Sequence, residues 1–373
     1  MKKRIYLDFN ATAKIKPQVI ERMSEVMSNV GNPSSVHAAG REARMLVEAA
    51  RAQVASLVGA GVNSVIFTGS GTESNNMALR GVKAGSIIHS AIEHDSVVAV
   101  AKVLDKPIYV APVDEHGLVD MLALDDLLSK AEAPAVVSIM LANNETGVIQ
   151  PIHDIAQLVH KYDGILHCDC MQAAGKIFIE FNDLGADLIS ITGHKLGGPQ
   201  GVGALIVRPD LPIETLLVGG GQELGRRSGT ENVAGIVGLG LSAKLAEQDL
   251  PAFMALEQLR DELQNKILAL APDAKVWSKD APRLPNTLSV SMPGVSAETQ
   301  VMHMDLEGVA VSSGSACTSG KVKGSHVLEA IGGSDNGESL RMSLGFGSTQ
   351  QDIEVAFKAW ASLYERMLNK KVG

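Results

Sequence analysis

Cysteine is scarce in this chain, with Cys168, Cys170 and Cys317 the three examples among 373 residues. So few thiols exclude a disulfide framework and favour a reducing compartment, which we expect to be the cytoplasm. Cys168 and Cys170 have the spacing of a metal-binding pair, but no second pair completes four ligands. We therefore expect no metal site and interpret them as two small residues at a strand end.

Long apolar runs and basic blocks are also missing. No segment is apolar over enough residues to span a bilayer, and Asp8 and Asn10 interrupt the basic N-terminal segment too early for a signal peptide. Lysine and arginine number 33 against 42 acidic residues, a net charge of −9 without any strongly basic block. We expect neither a membrane nor a DNA partner.

The residues that are present predict a large α/β domain over residues 15–250. Apolar residues make up 45% of the chain, enough for a sizeable core and two domains. After helices at 16–30 and 40–58, apolar strands are predicted at 64–68, 86–89, 107–110, 135–141, 165–168, 188–191 and 203–207. Helices are predicted between most of them, at 72–83, 95–104, 122–131 and 152–162. This alternation is typical of a mostly parallel sheet, here seven-stranded, that is covered on both faces.

The pattern changes after about residue 249. A long helix is predicted at 251–270, strands at 288–292 and 309–312, a further strand around Arg341, and a last helix at 350–368. This mixture predicts a smaller α+β domain formed by residues 251–373. Residues 1–14 are expected to pack with it.

Lys195 is the most informative residue, because it follows an apolar strand and begins a turn too rich in glycine to cover it. A poorly hydrated lysine has a lowered pKa and becomes a nucleophile toward carbonyl groups. Asp169 and Gln172 end another apolar run, and a carboxylate followed by an amide suits a pyridinium nitrogen and its ring oxygen. Together these residues suggest a pyridoxal-phosphate (PLP) enzyme. Alone, Lys195 would be read as a surface lysine in a turn.

A glycine-rich segment at 69–76 follows a strand and begins a helix. There Gly71 and Thr72 would present free N–H groups to an anion. The segment lacks the Gly-Lys-Ser/Thr ending of a P-loop, which disfavours a nucleoside triphosphate; the alternative is an ordinary capped turn. The Arg226–Thr230 segment is a second candidate anion cluster.

His94 and Asn144 each follow a predicted strand. The His94 ring could stack on a pyridine and move protons, although a loop histidine is the alternative. Asn144 belongs to an Asn-Asn-Glu-Thr-Gly segment. Amides at the carboxyl ends of strands lie where open α/β sheets bind ligands, although an Asn-rich turn would look the same.

Two further residues carry chemistry. Cys317 lies in a loop of small polar residues, where an exposed thiol is prone to oxidation and therefore costly to keep without a function. Arg341 interrupts an apolar strand and needs an anionic partner. That partner is either a substrate carboxylate or an internal salt bridge.

These motifs resemble the group I cysteine desulfurases of the NifS/IscS type, which belong to the class V aminotransferase-like, fold-type I PLP-dependent transferases. The resemblance covers nearly the whole chain. It is carried by the segments at 7–12, 31–35, 143–147, 193–195, 227–230 and 312–319, and by Arg341. The Lys195 segment together with the Cys317 loop is the most specific part.

The resemblance implies how PLP would be held. Lys195 would bond to it and later move the substrate's α-proton, and Asp169 would pair with the pyridinium nitrogen. Gln172 and Asn144 would reach the phenolic oxygen, and His94 would stack on the ring. The phosphate would be held by Gly71, Thr72, Thr192 and His194, together with Thr230 from the neighbouring subunit of an obligate homodimer.

The resemblance also implies the reaction. Arg341, helped by Asn144, would bind the carboxylate of L-cysteine, and the Cys317 thiolate would take the substrate's sulfur as a persulfide. Alanine would leave, and the sulfur would pass to an acceptor such as an iron–sulfur scaffold protein or a tRNA or cofactor thiolation system. A selenocysteine lyase or another PLP lyase of this fold is the alternative, and a non-catalytic binding protein is a more distant one. The sequence departs from the family's common pattern at Leu224 and at Cys170-Met171, which places an extra thiol near the ring. A further departure at 321–324 leaves the acceptor open.

Overall fold

The computed structural model describes residues 4–314, 324–332 and 337–372. The strands are β1 (Ile5–Tyr6), β2 (Val65–Thr68), β3 (Ser86–Ser90), β4 (Ile108–Ala111), β5 (Ala135–Ser138), β6 (Ile165–Asp169), β7 (Leu188–Thr192), β8 (Gly203–Val207), β9 (Lys275–Val276), β10 (Thr287–Ser291), β11 (Val309–Ala310), β12 (Ser312–Ser313) and β13 (Ser339–Ser343). The helices are α1 (Pro17–Met27), α2 (Ala38–Leu57), α3 (Gly71–Gly81), α4 (Asp95–Val103), α5 (Met121–Lys130), α6 (Ile152–Lys161), α7 (Phe181–Leu184), α8 (Val233–Met254), α9 (Leu256–Leu270), α10 (Ala297–Leu306), α11 (His326–Ala330) and α12 (Gln350–Val372). Within the described ranges, none of these helices is both long and apolar enough to cross a membrane.

A seven-stranded sheet forms the larger layer, in the order β2-β8-β7-β6-β5-β3-β4. Its strands are parallel except β8, which runs antiparallel to both of its neighbours. Every residue of β2, β3, β5, β7 and β8 is buried, because helices cover the sheet on both faces. The predicted α/β fold with a mostly parallel seven-stranded sheet is confirmed.

The carboxyl ends of β2, β3, β5, β6 and β7 all reach the same edge of this sheet. The chain segments that leave these ends are the ones that contain Gly71, His94, Asn144, Asp169 and Lys195. Open α/β sheets bind ligands at this edge, so the topology brings the predicted site residues to one place.

A second, four-stranded antiparallel sheet has the order β12-β13-β10-β9. It has a separate apolar core that includes Trp360 of α12 and Leu263 of α9. The N-terminal strand β1 pairs with β11, and Asp8 bridges to Ser343 of β13. The N-terminal segment therefore packs with the C-terminal part, as expected, while the division into domains at residues 14 and 250 stays a prediction.

The predicted start of the helix at 251–270 is wrong. Helix α8 begins at Val233 and contains Pro251, and α9 follows from Leu256. The sequence of α8 is apolar on nearly all sides and rich in glycine, so it has no amphipathic period. It is helical because it packs closely on α1 and α2: a Cβ at Gly240 would lie 2.6 Å from the Cα of Ala50.

The strand predicted at 309–312 is also corrected. It is two short strands, β11 and β12, which belong to different sheets. The predicted strand at 135–141 ends at Ser138. The short helices α7, α10 and α11 were not predicted.

Candidate active site

A cavity of about 1060 Å³ opens at the carboxyl edge of the seven-stranded sheet. Predicted site residues that line it are Gly71, Thr72, His94, Asn144, Asp169, Gln172, Thr192, His194, Lys195 and Arg341. Thr230 is exposed and does not line the cavity. Cys317 lies outside the described residues. These predicted residues come from six separate segments of the chain and meet around one space.

Lys195 is placed in the cavity by a tight turn. Strand β7 ends at Thr192, and a short 3-10 helix, Gly193–Lys195, follows directly. Gly193 has no room for a side chain, because a Cβ there would lie 2.8 Å from the carbonyl oxygen of Pro199. The Lys195 side chain is half-buried rather than fully desolvated. The turn therefore presents the amine to the cavity while leaving part of it hydrated.

Asp169 ends β6 and is 5% exposed. One carboxylate oxygen accepts a hydrogen bond from Nδ2 of Asn75 at 2.9 Å, and the other accepts from the backbone N–H of Met171 at 2.9 Å. Both oxygens are held in place, and each keeps lone-pair capacity for a further donor. The carboxylate can therefore bind a ligand N–H, as the resemblance requires.

His94 caps the N-terminus of α4. Its Nδ1 accepts a hydrogen bond from the backbone N–H of Ser96 at 3.1 Å and lies 2.9 Å from the Ser96 hydroxyl. Burial and the positive charge of Lys195 lower the pKa of His94. The ring is therefore neutral at pH 7 with its proton on Nε2.

The start of α3 can bind an anion. Ser70 caps the helix by accepting the N–H of Glu73, and the N-terminal residues Gly71 and Thr72 line the cavity. A Cβ at Gly71 would lie 2.3 Å from the Sδ of Met171, so a larger residue there would displace that side chain. Burial and the charge of Lys195 lower the pKa of the nearby His194 to about 4, so its ring is neutral as well.

The second candidate anion cluster, at Arg226–Thr230, makes contacts within the chain. Nε of Arg227 donates to Oε1 of Glu73 at 2.8 Å, and Arg226 donates to the carbonyl of Asn63. Both arginines thus have partners within the chain. The Arg227 contact holds the loop that carries Thr230 against the start of α3.

Of the two alternatives for Arg341, the structure contains the internal salt bridge. Arg341 is 3% exposed in β13, and its Nη2 binds Oδ1 of Asp8 at 2.8 Å. Its Nη1 donates to the backbone carbonyl of Asn144 at 3.1 Å. Its Nε is buried without a hydrogen-bond partner, although the side chain lines the cavity. A buried N–H without a partner favours an anionic ligand at this position.

Several buried residues around the cavity were not predicted. Asn75 lies on α3 and joins Asp169 to Ser96, with hydrogen bonds of 2.9 Å to each. Glu93 is fully buried, and burial followed by the charge of Asp169 raises its pKa to about 8. The sequence signal for Asn75 is a polar residue on the inner face of a helix that begins at the glycine-rich turn, which is weak by itself.

Cys168 and Cys170 are free, fully buried thiols with their sulfur atoms 3.8 Å apart. They lie in the core of the seven-stranded sheet. Their position agrees with the interpretation of two small residues at a strand end.

Comparison with known proteins decides the family, because residues 5–355 match the model described as aminotransferase class-V. The chain belongs to the class-V aminotransferase family. Among relatives of this class-V protein, the cysteine desulfurase IscS of Dictyoglomus turgidum is 39% identical over 381 residues, 98% of this chain and 96% of that protein. The resemblance stated from the motifs is thereby confirmed.

Solved structures of relatives agree with this family. A NifS-like protein from Rickettsia africae matches the class-V fold with a TM-score of 0.90 at 38% identity, covering 97% of this chain and 99% of that one. SspA, solved in complex with cysteine, matches with a TM-score of 0.78 at 29% identity, covering 91% of this chain and 98% of that one. The fold-type I architecture is therefore confirmed.

Proposed function

We propose that this protein is a PLP-dependent cysteine desulfurase, which converts L-cysteine to L-alanine and transfers the sulfur to Cys317. The observation that carries the proposal is the meeting of a buried carboxylate, a lysine and a buried arginine in one cavity. Asp169 ends β6, Lys195 follows β7 and Arg341 lies within β13, and all three line the same space. The names of the relatives support the choice of reaction.

The cavity residues fit PLP. Asp169 would accept the pyridinium N–H, since both of its oxygens are fixed and have capacity for another donor. The N-terminus of α3, with Thr192 and His194, would hold the phosphate, and the neutral ring of His94 would stack on the pyridine. Gln172 and Asn144 would face the phenolic oxygen, and Lys195 would bond to the carbonyl carbon. When bound, PLP supplies the electron sink that stabilises a carbanion at the substrate's α-carbon.

The chain's own residues would do the rest. Arg341 binds the substrate carboxylate through the N–H groups that Asp8 and Asn144 leave unused, which orients the α-carbon toward Lys195. The amine of Lys195 moves the α-proton. The neutral His94 carries its proton on Nε2 and can exchange it with the substrate.

Sulfur transfer needs a nucleophile, and Cys317 is proposed for that role, although it lies outside the described residues. Its thiolate attacks the sulfur atom of the substrate, so a sulfur–sulfur bond forms while the carbon–sulfur bond breaks. The carbon keeps the electron pair and takes a proton to give alanine. The persulfide on Cys317 then passes its outer sulfur to an acceptor, such as an iron–sulfur scaffold protein or a thiolation system.

Absorption spectroscopy with an alanine assay tests the proposal. The purified protein, supplied with PLP, should show a visible band that changes when L-cysteine is added, and alanine should be released. Cys317→Ser should keep the band and lose alanine formation, whereas the matched variant Cys170→Ala should keep both. No band after adding PLP would refute the cofactor assignment.

Other results would redirect the function. A band without alanine formation would show that cysteine is not the substrate. Full turnover by Cys317→Ser would refute the role of the thiol. If Cys317→Ser still acted on selenocysteine and the wild type preferred that substrate, the selenocysteine lyase alternative would replace ours.

We further propose a cytoplasmic homodimer in which Thr230 completes the phosphate site of the partner subunit. Thr230 is exposed here, and Val218 and Leu224 near it are 89% and 73% exposed. Large apolar side chains exposed next to such a loop favour coverage by a second copy. Light scattering should give twice the chain mass of 39.2 kDa, and Thr230→Ala should weaken PLP binding. A monomer that binds PLP as tightly as the dimer would refute this arrangement.

A further inference from the structure

Lys176 is a buried lysine that the proposed reaction does not use. It lies four residues after Gln172 and is 3% exposed. Its Nζ donates to Oε1 of Gln172 and to Oδ1 of Asn10, both at 2.8 Å. Burial, followed by the charges of Lys195 and Arg341, lowers the pKa of Lys176 well below its usual range. The two acceptors occupy two of its N–H donors.

The contacts of Gln172 determine the orientation of its amide. Nε2 of Gln172 donates to the backbone carbonyl of Asn10 at 2.9 Å. A backbone carbonyl can only accept, so the atom facing it must be the nitrogen, and the atom facing Lys176 must be the oxygen. One N–H of Nε2 therefore remains for a ligand in the cavity that Gln172 lines.

The same lysine holds Asn10, which connects to the substrate side of the cavity. Oδ1 of Asn10 accepts from Lys176 and, at 3.1 Å, from Nδ2 of Asn286. Its Nδ2 donates to the backbone carbonyl of Asn144 at 3.2 Å, the carbonyl that also receives Arg341. Asn10 is 2% exposed, so a flipped amide would leave buried groups unpaired.

We propose that Lys176 is a positioning residue, which fixes the Gln172 amide with an N–H toward the bound cofactor. Without Lys176, the Gln172 oxygen would lose its buried donor, and the bond from Nε2 to the Asn10 carbonyl would hold the amide alone. If the amide then turned, its oxygen would point toward the phenolic oxygen of PLP. Two acceptors would then face each other in a buried place. This inference rests on the proposed function, because it concerns the same PLP site.

The test compares four proteins loaded with PLP: the wild type, Lys176→Met, Gln172→Leu and the double variant. Lys176→Met should weaken PLP binding to the apoprotein about tenfold, the value of one oriented buried hydrogen bond, and should shift the absorption band of bound PLP. Gln172→Leu should cause the same two changes, and the double variant should add little to them, because Lys176 affects the cofactor through Gln172. Ile267→Val, a small change in the separate core of the four-stranded sheet, serves as a control for lost stability.

The outcomes distinguish this inference from the proposed function. If the wild type binds PLP but Lys176→Met keeps its band and its affinity, the positioning role is wrong while the enzyme assignment stands. Additive effects in the double variant would also refute it, since Lys176 would then act apart from Gln172. If the wild type binds no PLP, both proposals fail. Should Lys176→Met not fold, Lys176→Gln, whose side chain is one atom too short for both contacts, is expected to give the same shift.

Discussion

Replacing Arg341 with methionine is expected to lower kcat/KM for L-cysteine about 10- to 150-fold. The side chain is 3% exposed, and its Nε is buried without a hydrogen-bond partner. A substrate carboxylate that binds there gains charge-assisted hydrogen bonds worth about 1.5–3 kcal/mol, and about 1.4 kcal/mol corresponds to a factor of ten. Methionine keeps most of the side-chain length and removes every donor.

The loss should fall mainly on KM. The carboxylate does not change during the reaction, so its contact with Arg341 stabilises the bound substrate and the transition state alike. Steady-state kinetics of alanine formation would measure both constants. L-Cysteinamide, which has no carboxylate, provides a second test: the wild type should discriminate strongly against it, and Arg341→Met should not.

Arg260→Met is the matched control. Arg260 is 4% exposed, donates to the backbone carbonyl of Leu284 at 2.7 Å and forms a salt bridge with Asp261 at 2.7 Å, away from the cavity. The Arg260→Met variant therefore loses comparable contacts, and the substrate site is left unchanged. If Arg341→Met stayed within about threefold of the wild type, or if Arg260→Met lost as much, the assignment of Arg341 to the carboxylate would be refuted.

Two further predictions concern stability. Glu93 has a pKa of about 8 in the folded protein and an ordinary value of 4.5, so the folded state keeps a proton that the unfolded state releases. The stability that this proton contributes is complete below pH 4.5 and is lost as the pH rises through 8. Glu93→Gln should therefore reduce the fall in unfolding free energy between pH 6.5 and 8 by up to about 1.4 kcal/mol per pH unit. Urea titration at each pH would measure this fall, and an unchanged slope in the variant would contradict the prediction. Gly240→Ala should lower stability, because overpacking against the Ala50 backbone costs about 1–3 kcal/mol and exceeds the helix gain of about 1 kcal/mol. Thermal unfolding would compare Gly240→Ala with the control Gly61→Ala, where the nearest atom to an added Cβ is 3.8 Å away. A higher Tm for Gly240→Ala than for the wild type would show that α8 and α2 can separate.

Most of the large sheet could be predicted because its strands are short apolar runs, and local periodicity reports them directly. The positions of Asp169 and Lys195 followed from the same runs, since Asp169 ends a buried strand and Lys195 lies just after one. Helix α8 could not be predicted in this way. Its apolar residues surround the helix on all sides, and the close approach to Ala50 is a property of the packed pair.

The hydrogen bonds and the salt bridge that support the site could not be predicted from the sequence either. Lys176 and Asn10 are 166 positions apart, and Arg341 and Asp8 are 333 apart. Nothing local in either segment predicts such a pair. For Arg341 the sequence could only pose a choice between a salt bridge and a substrate, and the structure contains the salt bridge together with an unused N–H.

The sequence by itself determined the fold class, the family resemblance and the set of candidate site residues, because strand periodicity and short motifs are local properties. The tertiary structure decided which of those residues meet. It also decided that His94 is neutral with its proton on Nε2, and that the amide of Gln172 points its nitrogen away from Lys176. Burial and hydrogen-bond partners set these states, and both come from segments that are distant in the chain.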